Sequence, residues 1–146
     1  MNALIVVQKQ SYTYKVVENC IVQADVYRTP DDVVQPAILW LHGGALMFGN
    51  RATLAPDQLT RYVEAGYTVI AVDYRLAPEA KLEAIIGDVQ DAYGWVRQSG
   101  PDQFRIDPDR IAVVGHSAGG YLTLMIGGCV KPRPRALVSF YGYGDI

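Results

Sequence analysis

Four runs of this chain are apolar almost without a break, near residues 36–41, 68–73, 110–115 and 135–141. A strand with one wet face alternates apolar and polar residues, whereas one buried on both faces has no polar side to show, as in a parallel strand covered by helices. Two earlier strands are expected near 12–17 and 20–27. In the second, Cys20, Val22, Ala24 and Val26 alternate with Gln23, Asp25 and Tyr27, the pattern of a half-exposed antiparallel strand near a sheet edge. Between the later runs, Leu82, Ile85, Ile86, Val89, Ala92, Tyr93 and Val96 recur at helical spacing, with Asp88 and Asp91 expected to face outward. The fold class that follows is α/β, a mixed and mostly parallel sheet with helices on both faces. With 146 residues, half of them hydrophobic, the chain suits one domain, residues 1–146.

Three motifs sit at the ends of the apolar runs. Gly115-His116-Ser117-Ala118-Gly119 lies between the strand-like run ending at Val114 and a helix-like run beginning near Tyr121. In that context it reads as a nucleophile elbow, a sharp turn that exposes a serine. Gly115 and Gly119 lack the side chains that would keep strand and helix apart. The amide of Ala118, at the start of the helix, is placed to donate to a developing oxyanion. His42-Gly43-Gly44-Ala45 follows the run 37–41 directly, and Gly43 and Gly44 can supply the second donor. Asp73-Tyr74-Arg75-Leu76-Ala77-Pro78-Glu79 follows the run 68–72. Taken by themselves, Asp73 and Arg75 read as an ordinary loop ion pair; the resemblance of this segment to esterases implies that they fix the loop at 42–45 through charge-assisted hydrogen bonds and that Pro78 opens the next helix.

With these motifs in this order, the chain from about residue 12 to residue 144 resembles the α/β-hydrolases of the hormone-sensitive-lipase-like esterase branch, and their N-terminal part only. The resemblance implies a serine carboxylesterase mechanism on small ester substrates, with Ser117 as nucleophile, Gly43, Gly44 and Ala118 as the oxyanion hole, and His42, Asp73, Arg75, Gly115 and Gly119 in support. It also implies a truncated sheet lacking the last strands, with the 135–141 strand left as an apolar edge open to a further C-terminal segment or a second copy. The family's triad runs serine, acid, histidine in chain order. His42 and His116 are the only histidines here, and both are taken up by motif positions. Asp145 reads better as a solvated residue than as the acid. The expectation is therefore a chain that is inactive alone, and the alternative is a truncated, non-catalytic hydrolase relative that binds a ligand or another protein.

The remaining features exclude more than they add. A formal charge of −2, from 13 basic and 15 acidic residues, offers no basic face to nucleic acid. Lys131-Pro132-Arg133-Pro134-Arg135 is a short connector between a helix and a strand. Cys20 and Cys129 have no metal-ligand spacing and are expected as buried free thiols. No metal or cofactor is expected. The apolar run 3–7 is too short for a signal peptide or a membrane span, so the expected setting is cytoplasmic, without membrane attachment. Few residues precede the first motif, which suggests an open or lightly capped site. Met47, Phe48, Tyr121 and the 141–144 segment are expected to line it.

Overall fold

Three of the four unbroken apolar runs become inner strands of a single sheet in the computed structural model, which describes residues 4–144. The run at 135–141, expected to be buried on both faces, instead forms a mostly exposed edge strand, because no strand covers its outer side among the described residues. The expectation about Asp145 lies outside the described residues. In chain order the elements are β1 (Gln8–Val17), β2 (Cys20–Arg28), β3 (Gln35–Leu41), a short 3-10 turn (Arg51–Thr53), α1 (Pro56–Glu64), β4 (Thr68–Val72), α2 (Leu82–Phe104), β5 (Ile106–His116), α3 (Ala118–Cys129) and β6 (Ala136–Phe140). The strands lie in the order β1-β2-β4-β3-β5-β6. β2 pairs antiparallel with β1 and β4, and the β4-β3-β5-β6 block is parallel. The architecture is a mostly parallel sheet with helices on both faces.

Strand parity divides the interior into two cores. Leu39 and Leu41 of β3, Ile70 and Val72 of β4 and Ile111 and Val113 of β5 face α2 and α3, where Ile85, Val89, Val96, Leu122 and Ile126 meet them. Ile38, Trp40, Val69, Ala71 and Val114 point the other way and are covered by Leu59 and Val63 of α1. Every residue of β4 is buried, which explains why its sequence shows no alternation.

The two sheet edges differ. β1 carries Lys9 and Lys15 and a register shift between Thr13 and Lys15, features that discourage further pairing. β6 has neither, and Leu137, Val138 and Phe140 remain more than a third exposed. The apolar edge expected at 135–141 is present.

Three expectations about individual residues fail. Asp88 does not face outward: it is fully buried, because Arg75 and Lys15 reach it from outside α2. Asp91, one turn further on, does face solvent. Cys20 and Cys129 are exposed rather than buried, since one opens β2 beside a hairpin turn and the other closes α3. Pro78 does not open a helix. It sits in a turn closed by Ala80 N–H donating to Leu76 O, and α2 starts at Leu82.

Candidate active site

The elbow is built from the shortest possible side chains because two backbones cross there. A Cβ on Gly115 would lie 2.0 Å from the carbonyl oxygen of Gly119, and one on Gly119 would lie 2.1 Å from that of Leu41. Ser117 sits at φ 54, in the left-handed region that an L-residue enters at a cost of about 1–3 kcal/mol. Its own amide donates to Phe140 O at 2.8 Å, and its carbonyl accepts from Tyr121 N at 3.0 Å, so strand β6 and helix α3 both hold the turn. Starting α3 directly at Ala118 leaves the amide of that residue without an intrahelical acceptor.

The loop after β3 lies against this turn. A Cβ on Gly43 would be 3.4 Å from Ser117 Cβ and 2.9 Å from His116 O, so only glycine lets the loop pass so close to the serine. Gly44 has φ 126, and a side chain there would meet Phe48 O at 1.9 Å. Ala45 and Leu46 follow at φ 54 and 64, closing a turn in which Met47 and Phe48 amides donate to Gly44 O. Among the described residues, the amides of Gly43, Gly44 and Ala118 have no acceptor within the chain. Gly43 thus packs against Ser117, and the amides of Gly44 and Ala118 lie one residue further along the two segments that meet there.

Supporting residues fall into two groups. His42 is fully buried, with Nδ1 2.7 Å from Gly43 O and its ring stacked on Tyr74 at a centroid distance of 4.1 Å. The Tyr74 hydroxyl donates to the His42 carbonyl oxygen. Asp73 bonds not to residues 42–45 but to Arg51, whose amide donates to Asp73 Oδ1 at 2.8 Å and whose guanidinium pairs with Oδ2. Arg75 does not touch the loop. Its Nε and Nη2 donate to the two oxygens of Asp88 at 2.9 and 2.8 Å, because the buried carboxylate takes the guanidinium inward. Arg51 and Asp88 were not legible as partners, since each meets its counterpart only through the tertiary fold.

Neither histidine addresses the serine. The His116 ring stacks on Phe140, its Nδ1 is 3.1 Å from Tyr141 Oη and its Nε2 is 3.1 Å from Gln58 Nε2. Among the described residues, no side chain hydrogen-bonds to Ser117 Oγ. Of the residues expected to line the site, Met47, Phe48 and Tyr141 are exposed, while Tyr121 is buried against Tyr143. A cleft of about 660 Å³ opens beyond the loop, beside Asn50, Tyr74 and Glu79; Ser117 does not line it. No group of three or more His, Cys, Asp or Glu among the described residues is arranged to hold a metal ion, and no helix among them is long and apolar enough to cross a membrane.

Burial holds the pKa of His42 below its ordinary 6.5, against the opposing bond to Gly43 O, and burial lowers His116 as well. A depressed histidine binds its proton more readily in the unfolded chain, so its stabilising contribution is present above the unfolded pKa and declines as pH falls below it. The midpoint of urea unfolding should therefore drop between about pH 7 and about pH 5, and His42→Asn should flatten that slope. An unchanged slope in the variant would show that His42 is not the group being titrated.

Comparison with known proteins gives a consistent result. The family described as alpha/beta hydrolase fold matches residues 38–145. The non-reducing polyketide synthase atr1 of Stereocaulon alpinum is 35% identical over 91% of this chain, which spans 6% of the synthase. A hyperthermophilic esterase from the archaeon Pyrobaculum calidifontis superimposes with a TM-score of 0.78 at 33% identity, over 92% of this chain and 45% of that one. Esterase 2 of Thermogutta terrifontis, in a form phosphorylated by paraoxon, gives a TM-score of 0.71 at 28% identity, over 78% and 45% of the two chains.

Proposed function

The chain belongs to the alpha/beta hydrolase fold family, and from that premise we propose that it carries the nucleophile and oxyanion hole of a serine hydrolase of the carboxylesterase type. The observation that carries this reading is the placement of Gly43 against Ser117, and the reading takes the unpaired amides of Gly43, Gly44 and Ala118 as the oxyanion donors. In the reaction, Ser117 Oγ bonds to the acyl carbon of a small ester and passes its proton to a base. The carbonyl oxygen becomes an oxyanion held by those amides, and the alcohol leaves with a proton. Water then repeats the sequence on the acyl-enzyme and frees the acid.

Serine needs a base within hydrogen-bond reach, and both histidines of this chain are engaged elsewhere. Added imidazole supplies one. With diisopropyl fluorophosphate, the bond from Ser117 Oγ to phosphorus forms, the phosphorus–fluorine bond breaks, fluoride leaves, and imidazole keeps the proton. The adduct should form on Ser117 at least about tenfold faster with imidazole than without it. Peptide mass spectrometry locates the adduct, which should vanish in Ser117→Ala. An adduct on another residue, or none at any imidazole concentration in folded protein, would overturn the assignment.

The likeness to polyketide synthases favours a second reading of the same residues, in which the acyl group is a polyketide chain. Hydrolysis of a short β-ketoacyl thioester in preference to p-nitrophenyl acetate, both with imidazole and both dependent on Ser117, would select it.

A further inference from the structure

The loop that carries Gly43 and Gly44 is tied down at three points, all by the segment that follows β4. The Tyr74 hydroxyl donates to His42 O at its start, Ala77 N donates to Leu46 O at 2.8 Å in its middle, and Asp73 Oδ1 accepts from Arg51 N at its end. The third tie differs from the others because it is ionic and because it extends to another strand. The Arg51 guanidinium also lies with Nε 3.0 Å from Asp25 Oδ1 and Nη2 3.3 Å from Gln23 Oε1, both on β2. Asp25 is buried, and its further partners are Ser11 Oγ at 2.6 Å and Lys9 Nζ at 3.7 Å. Burial alone would raise the Asp25 carboxyl, but Ser11 and Arg51 outweigh it and hold the group below its ordinary value, so it stays ionised.

We infer that Arg51, bridging Asp73 and Asp25, is a positioning residue that holds the oxyanion loop at the distance from Ser117 at which its amides act. The inference rests on the serine hydrolase reading above. Asn50 and Arg51 close the loop, and Gly49 packs beneath it, where a Cβ would lie 2.4 Å from Gly43 O and 2.7 Å from His42 Nδ1. A displacement of Arg51 therefore passes through Gly49 to the peptide of Gly43. Because the loop also contains two non-glycine residues at positive φ, its observed form persists only under such restraint. Arg51 touches neither the serine nor the arriving acyl group, so its removal should alter the speed of the step and not the concentration of reagent needed to reach it.

The test is the imidazole-assisted phosphorylation of Ser117, with the rate followed against diisopropyl fluorophosphate concentration at fixed, saturating imidazole. Arg51→Met should lower the limiting rate about tenfold or more and leave the half-saturating concentration within about twofold, and Arg51→Lys should recover part of the loss. Near-ultraviolet circular dichroism at the assay temperature confirms that each variant is folded. Asp73→Asn keeps the Arg51–Asp25 pair and should also slow the limiting rate, so it decides the matter if Arg51→Met fails to fold. Wild-type limiting rates in folded Arg51→Met or in Asp73→Asn, with the wild-type protein labelling normally, would overturn the positioning role alone. No labelling of the wild-type protein would instead bring down the hydrolase reading and this inference with it.

Discussion

Gly119→Ala should destabilise the chain by about 3 kcal/mol or more and abolish the reaction of Ser117 with diisopropyl fluorophosphate. The added methyl would sit 2.1 Å from Leu41 O and 2.6 Å from His42 O. Those oxygens belong to backbone at the end of β3, and Leu41 is paired on one side with Val72 and on the other with Gly115. No rotamer relieves such a contact; either the central ladder opens or α3 lifts from the sheet. Gly94 provides the comparison within the same protein. A Cβ there meets nothing within 4 Å, so Gly94→Ala should stabilise α2 by up to about 1 kcal/mol through helix propensity. Urea unfolding followed by tryptophan fluorescence separates the two, and a Gly119→Ala variant within about 0.5 kcal/mol of wild type would refute the crossing geometry.

Asp88→Ala should cost about 3–5 kcal/mol, the loss expected when one member of a buried ionic cluster is removed and the others are stranded. Asp88 accepts four hydrogen bonds: from the Arg75 amide, Nε and Nη2, and from Lys15 Nζ at 2.8 Å. These link β1 and the segment after β4 to a helix in the core. Burial pushes the carboxyl up, but the bonds from Arg75 and Lys15 prevail and its pKa falls below the ordinary 3.8. A carboxylate with a depressed folded pKa contributes fully above the unfolded value and loses that contribution as pH falls through the folded one. The stability difference between wild type and Asp88→Ala should accordingly shrink below about pH 4. Asp91→Ala removes an exposed carboxylate that shares Lys15 and should cost less than about 1 kcal/mol. Equal losses from the two variants would show that Asp88 is not the hub.

What could be read from the sequence was whatever is encoded over a few adjacent residues. Unbroken apolar runs marked β3, β4 and β5, the alternation from Cys20 marked β2, and glycine spacing marked the places where backbones approach. Residues whose surroundings come from distant parts of the chain were misread or missed. Asp88 looks solvated on a helical projection, which cannot show that Lys15 and Arg75 arrive from β1 and from beyond β4. Arg51 occupies no motif and no periodic position; its meaning depends on Asp25 and Asp73 being neighbours across β2 and β4. The placement of Arg75 failed for a related reason, since proximity in sequence to Asp73 says nothing about which carboxylate is buried.

The pairing of Leu41 with Gly115 in the parallel β3–β5 ladder has a consequence for how such a site can change over time. Gly43 follows that pair by two residues and Ala118 by three, so the separation of the two segments is inherited from the roughly 4.8 Å spacing of hydrogen-bonded strands. A slip of one residue would displace one segment by about 3.3 Å and turn every core side chain to the wrong face, so intermediate geometries are not available. The residues from Ala45 to Phe48 lie outside that constraint. Substitution there can redraw what reaches Ser117 while the spacing of the two segments is kept, so the surroundings of the serine can change without the crossing itself being lost.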